Sequence, residues 1–242
     1  MSIARSLAYA FANLLHPRML WLMLWPVLLS LVLWAGVGFF LFGWIVVRLA
    51  AKIDAVLHDT MSFLTLDLTD WTLIAAKVIV YLAFIPLVYM TALVILGIFG
   101  MPAMVDHVAG RSFPALKRRQ GGGVLGSAWN AVVTLLGMAA LVVVTVPLWL
   151  FPPLWPLIPL LVMAWANQRF LRYDALAEHA DRAEMSAIFR ERRGPLYGLG
   201  FLMALTAYLP LVGFFVPALF ALAFIHYLLS TLDQRRLSQP SQ

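Results

Sequence analysis

Four long stretches of the chain carry no Asp, Glu, Lys or Arg: 19–47, 78–105, 120–168 and 194–232, which run for 29, 28, 49 and 39 residues. Each exceeds the ~20 apolar residues that an α-helix needs to cross a bilayer. The first two are uninterrupted and predict transmembrane helices over 19–47 and 78–105. Trp21, Trp25, Trp34 and Trp44 lie along the first, and Trp71 and Tyr81 stand where the second would meet the interface. The other two stretches are broken near their middles, one by Pro147, Pro152, Pro153, Pro156 and Pro159, the other by Pro210, Gly213 and Pro217. They predict helical hairpins over 124–168 and 195–232. In the second hairpin the arms 196–209 and 218–230 count 14 and 13 residues, so each reaches only ~20 Å into a ~30 Å hydrocarbon core. Re-entry from one face, with the irregular apex covered by protein or water, is the economical solution. In the first hairpin, 124–146 is long enough to cross, whereas 157–168 is not.

Flanking segments complete the layout. Ile3, Leu7, Phe11 and Leu14 recur at helical spacing among Ser2, Arg5, Ser6 and Asn13, which predicts an interfacial helix over 1–16. Pro17 suits the first turn of the helix that follows. Between 169 and 193 five acids alternate with six bases, predicting a solvated connector helix held by i,i+4 pairs.

Composition agrees with this reading. Of 242 residues 63% are hydrophobic and 12% charged, and the mean hydropathy is +0.91, against ~45–50% and ~25% in soluble domains. The expected fold class is an all-α integral membrane protein in one membrane domain: two long transmembrane helices plus two Pro/Gly-broken, partially penetrating hairpins. The apolar run after Arg5 is too long for a signal-peptide core, so a retained helix is expected. With no cysteine, disulfides and thiolate chemistry are excluded. The net charge of +6 resides in loops between apolar runs, which points to orientation and anionic lipid, not nucleic acid. If both hairpins return to the face they left, 14 of 17 bases share the N-terminal side, so both termini and the 169–193 connector are expected in the cytoplasm.

Several short phrases follow one another in a recognisable order. They are Pro17 to Pro26, Gly100-Met101-Pro102-Ala103, Tyr173-Asp174, Glu184-Met185, Arg190-Glu191-Arg192-Arg193, Gly198-Leu199-Gly200, Leu209-Pro210-Leu211 and Phe215-Val216-Pro217-Ala218. Together they resemble the CysZ sulfate-permease family and the broader etoposide-induced membrane protein family. The resemblance implies a homo-oligomer in a bacterial inner membrane that takes up sulfate for cysteine synthesis. Where the family's sulfate-binding stretch is similar to Gly-Leu-Arg-Arg, this chain has Arg18-Met19-Leu20-Trp21 and keeps a single arginine.

Arg18 and Met19 at a helix start are the candidate anion-binding residues, because free N–H groups and a guanidinium fork suit a tetrahedral oxyanion. Headgroup contact explains Arg18 as well. Lys117, Arg118 and Arg119 beside a glycine run suggest a vestibule for anions or anionic lipid. Asn130 and His226 lie within apolar runs, where polar groups face a pathway or bond a neighbouring helix. Gly121, Gly123 and Gly126 match G-x-G-x-x-G without a preceding strand, so a linker is expected. No catalytic set, metal-ligand spacing or cofactor motif is present, and no enzyme activity is expected. The leading function is a permease for a small inorganic anion such as sulfate; the rival is a non-transporting membrane scaffold.

Overall fold

A computed structural model describes residues 2–60, 69–206, 208–209 and 215–238. Among them there are nine α-helices and no strands. Four segments are long and apolar enough to cross a membrane: Pro17–Leu57, Asp70–Ser112, Val124–Leu150 and Val216–Ser238. The all-α membrane class is therefore the observed one. The chain divides into two compact units, Trp21–Gly97 and Met1–Leu20 with Ile98–Gln242.

The first unit is built from helices α2 (Pro17–Thr60) and α3 (Thr69–Ile95). α2 runs past its predicted apolar stretch at both ends, whereas α3 starts before its stretch and gives way after Ile95 to a π-helical turn. The polar segment after Arg48 stays helical to Thr60, and at ~1.5 Å per residue the 44 residues of α2 rise ~66 Å. Val46 and Ala50 of α2 meet Ala76 and Val80 of α3, with Phe42, Leu49, Leu73 and Phe84 around them. Higher up, Gly38 admits the Phe84 ring: a Cβ there would lie 3.1 Å from it. The Trp34 indole N–H donates to Thr91 Oγ1 at 2.9 Å. Pro26 is accommodated inside α2, where the buried Ser30 hydroxyl donates to the Pro26 carbonyl at 2.7 Å.

The second unit surrounds a single helix. After a π-helical turn (Leu96–Gly100), α4 (Met101–Ser112) leads through a loop to α5 (Val124–Thr145). Two 3-10 turns carry the Pro147 and Pro152-Pro153 breaks, and α6 (Leu157–Leu176) returns antiparallel to α5. Then come α7 (Arg182–Glu191), α8 (Arg193–Thr206) and α9 (Val216–Ser238). Every residue of α9 from Ala218 to Leu232 is buried, covered by α1 (Ile3–Leu14), α4, α6 and α8. Its most apolar stretch is 89% buried, against 6–11% in the other three candidate spans. A helix apolar on all sides is a core helix.

This changes the expectation for the second hairpin. Its second arm is a 23-residue helix rather than 13 residues, ~35 Å long, and it packs on protein instead of lipid. The predicted apex, with Pro210 and Gly213, lies outside the described residues. In the first hairpin α6 likewise extends to Leu176, beyond the expected end at 168. The single connector helix over 169–193 is corrected to the end of α6, a turn, and α7. Asp181 makes the break: its side chain accepts from the Glu184 N–H at 2.8 Å while Glu184 Oε2 accepts from the Asp181 N–H at 3.0 Å. This reciprocal capping box starts a new helix.

Helix α1 is present where expected, and its buried side is the small, polar one. Ser6, Ala10 and Asn13 face α9, while Phe11 and Leu15 are 60% and 74% exposed. In lipid, apolar side chains gain little by leaving it, so close approach of small residues drives helix contact. The same rule operates between α6 and α8, where a Cβ on Gly200 would lie 2.4 Å from the Ala164 carbonyl oxygen. Gly200→Ala should therefore cost about 1–3 kcal/mol, read as a lowered melting temperature in detergent. Gly194→Ala, with nothing within 4 Å of the added carbon, should leave the melting temperature near wild type.

Candidate anion site

Pro17 starts α2, and the residue before it organises the helix start. The His16 carbonyl accepts the N–H groups of Met19 (2.8 Å) and Leu20 (3.0 Å). His16 Nδ1 accepts the Arg18 N–H at 3.2 Å. The N–H groups expected to be free for an anion are thus occupied, and the Met19 side chain is buried. The exposed Arg18 side chain remains available.

What the structure adds is α4. Gly100, Met101 and Pro102 open that helix so that His107 meets His16, ring centroids 5.2 Å apart. Among the described residues, the charges that act on His107 are those of His16, Arg18 and Arg111, with no carboxylate among them. The adjacent Asp106 is turned to Arg118. His107 Nε2 is buried without a hydrogen-bond partner. Because His16 Nδ1 is an acceptor, the neutral His16 ring carries its proton on Nε2. The guanidinium groups of Arg18 and Arg111 thus bear on the His16–His107 pair, and basic groups of this kind suit a tetrahedral oxyanion. Sequence reasoning found Arg18 and missed His16, His107 and Arg111. The available signal was the i,i+4 spacing of His107 and Arg111 on a helix with Pro102 in its first turn.

The other expected site residues lie elsewhere. Arg118 pairs with Asp106 and, at 3.6 Å, with Glu178; Arg119 pairs with Glu184 at 3.2 Å and Asp181 at 3.6 Å. The Lys117 carbonyl accepts from Arg236 at 2.7 Å. The Gly121 and Gly122 N–H groups donate to the Ala180 and Ala177 carbonyls at 3.0 and 2.9 Å. A Cβ on Gly126 would collide with the Tyr173 hydroxyl. The expected flexible vestibule and linker are therefore a pinned segment. At its centre Arg236 holds Glu184 through two bonds of 2.9 and 2.8 Å and also donates to the His179 carbonyl at 2.7 Å.

Asn130 and His226 are both engaged. The Asn130 amide donates to the Arg169 carbonyl at 3.0 Å, joining α5 to α6. His226 stacks on Tyr9 with centroids 4.0 Å apart, and its Nδ1 lies 3.5 Å from Ser6 Oγ. The Tyr9 hydroxyl accepts from Ser112 Oγ at 3.0 Å, so these groups tie α1, α4 and α9 together. In the other unit, a cleft of about 440 Å³ lined by Trp34, Gly38, Phe42, Tyr81 and Phe84 among others is apolar and offers no cation.

Against known proteins, the family model described as sulfate transporter CysZ/etoposide-induced protein 2.4 matches residues 6–217. No curated protein and no solved structure matches the chain.

Two carboxyl groups of the second unit, Glu184 and Asp174, are shifted in opposite senses. Burial opposes ionisation of Glu184, but hydrogen bonds from Arg236 and the Asp181 N–H hold its pKa below the usual value of 4.5. Its contribution is present above about pH 4.5 and is lost as the pH falls further. Burial pushes Asp174 up to about 6, despite a hydrogen bond from Ser127. Its cost therefore appears as the pH rises from about 4 to 6. Thermal melts between pH 4 and 8 should show Asp174→Asn stabilising by on the order of 2–3 kcal/mol above pH 7 and by little at pH 4. Glu184→Gln should destabilise by about 2–3 kcal/mol at pH 7.

Proposed function

This chain belongs to the family of sulfate transporter CysZ and etoposide-induced protein 2.4, a transporter-type family and not an enzyme family, and from that premise we propose that it is a permease for a small oxyanion, with sulfate the first candidate. The reading adds a homo-oligomer in a bacterial inner membrane, termini in the cytoplasm, and hairpins that enter the bilayer from that side. The observation that carries it is the contact of the His16 and His107 rings, centroids 5.2 Å apart, with Arg18 and Arg111 acting on His107 as like charges. A cluster of that kind costs self-repulsion and is relieved by a bound dianion.

Energetics limit how such a protein works. Drawing a doubly charged anion inward against a negative-inside potential costs ~4.6 kcal/mol per 100 mV, twice the single-charge value. Among the described residues there is no strand, and so no nucleotide-binding motif in a strand–loop–helix context. Consumption of the anion after entry, proton coupling or a partner supplies the drive. A surface cluster of bases also raises the local anion concentration ahead of binding.

Liposomes containing the purified chain should accumulate radiolabelled sulfate above empty vesicles. Arg18→Gln should raise the half-saturating sulfate concentration roughly tenfold, about the loss of one charge-assisted contact. Uptake at the level of empty vesicles would contradict transport and leave the scaffold reading.

A further inference from the structure

Three arginines on the α6/α8 side of the second unit have no acidic partner among the described residues. Arg169 and Arg172 stand one turn apart on α6, and Arg193 is the first residue of α8. Among the described residues, the charges acting on Arg172 at neutral pH are those of Arg169 and Arg193, with no Asp or Glu among them, and the neutral Tyr197 phenol lies close by. Burial first, then Arg169, pulls the Arg172 pKa below its ordinary value. The Arg172 guanidinium lies 4.7 Å from the Phe189 ring centre and that of Arg169 lies 5.5 Å from Trp165. Arg169 Nε is buried and makes no hydrogen bond. Five carboxylates lie in the same part of the chain, yet Glu178, Asp181, Glu184 and Glu191 pair with Arg118, Arg119, Arg236 and Arg235. The fifth, Asp174, is buried beside Ser127.

An apolar track leads away from these bases. Arg193, Tyr197, Phe201 and Leu205 follow at four-residue spacing on one face of α8. The last three are 42%, 36% and 49% exposed. On the antiparallel α6, Arg169 is followed toward the apex by Trp165 and Leu161 at the same spacing. Cations at one end of an exposed apolar helix face are complementary to a molecule with an anionic head and hydrocarbon tails.

We propose that Arg169, Arg172, Arg193 and Tyr197 hold the phosphate of an anionic phospholipid, whose acyl chain lies along Tyr197, Phe201 and Leu205. The site is separate from the Arg18 cluster and does not depend on transport. Basic pockets between helices at a membrane face bind such headgroups, and each arginine near the surface contributes about fivefold in affinity. A free oxyanion shares the headgroup chemistry but has nothing to place on the track.

Native mass spectrometry of the full delipidated chain, with phosphatidylglycerol and phosphatidylcholine of identical chains added together, tests this on the wild type. Phosphatidylglycerol adducts should dominate, and millimolar inorganic phosphate should not displace them. In the double variant Arg172→Gln/Arg193→Gln the preference should fall about 25-fold. It should survive in Arg18→Gln and largely return in Arg172→Lys/Arg193→Lys. Equal binding of the two lipids by wild type would overturn the proposal whatever the variants do. So would full displacement by phosphate, or loss of the preference in Arg18→Gln alone. A double variant that leaves the preference intact and only dissociates a protein oligomer would assign the face to a second copy and sink the lipid.

Discussion

A shortage of acids governs the charged half of this molecule. The chain has 17 Lys and Arg against 11 Asp and Glu, and near a membrane an unpaired charge is costly unless water, lipid or ligand answers it. Around the loops joining α4 to α5 and α6 to α7, carboxylates are matched to arginines: Asp106 and Glu178 to Arg118, Asp181 to Arg119, Glu184 to Arg236, Glu191 to Arg235. Those pairs pin segments that glycine and charge would otherwise leave loose. They also leave two groups of bases unanswered, one around His107 and one around Arg172. Cation that no protein acid neutralises is where an external anion is stabilised most, so the same deficit yields both a substrate reading and a lipid reading.

The fold of the second unit is organised around one enclosed helix. α9 is sheathed by α1, α4, α6 and α8, and its C-terminal Arg235 and Arg236 reach α7 and the loop after α4. The sheath closes through small residues: Ser6 and Ala10 on α1, Gly200 on α8, Gly137 beneath Trp165 and Gly126 beneath Tyr173. Hydrocarbon gives no reward for hiding apolar side chains from it, so contact surface and satisfied polar groups must do that work. Asn130 on the Arg169 carbonyl and the Ser6, Tyr9, His226 and Ser112 set serve that purpose.

Much of this was legible in the chain itself. Uncharged run lengths gave the helical membrane class, prolines gave the break between α5 and α6, and Pro17 gave the start of α2. Other features were hidden for physical reasons. Run length counts apolar residues, whereas a helix continues through polar ones; hence α2 extends past Arg48 and α9 past Ser230. Asp181 and Glu184 carried a capping box at the right spacing, masked by the surrounding charges. Gly121 to Gly126 looked like linker because packing glycines and flexible glycines are the same residue. Arg18 was visible as an anion candidate, but its companions His107 and Arg111 come from some 90 residues further on, and only folding brings them to His16.

The central claim is that Arg18 and Arg111 converge on one anion. Equilibrium binding of labelled sulfate to wild type, Arg18→Gln, Arg111→Gln and the double variant measures that directly, as a double-mutant cycle. A shared ligand predicts that each single change weakens binding and that the double change deviates from the product of the two by a factor of about three or more. Independent, multiplicative effects, or sulfate affinity indifferent to both arginines, would contradict it.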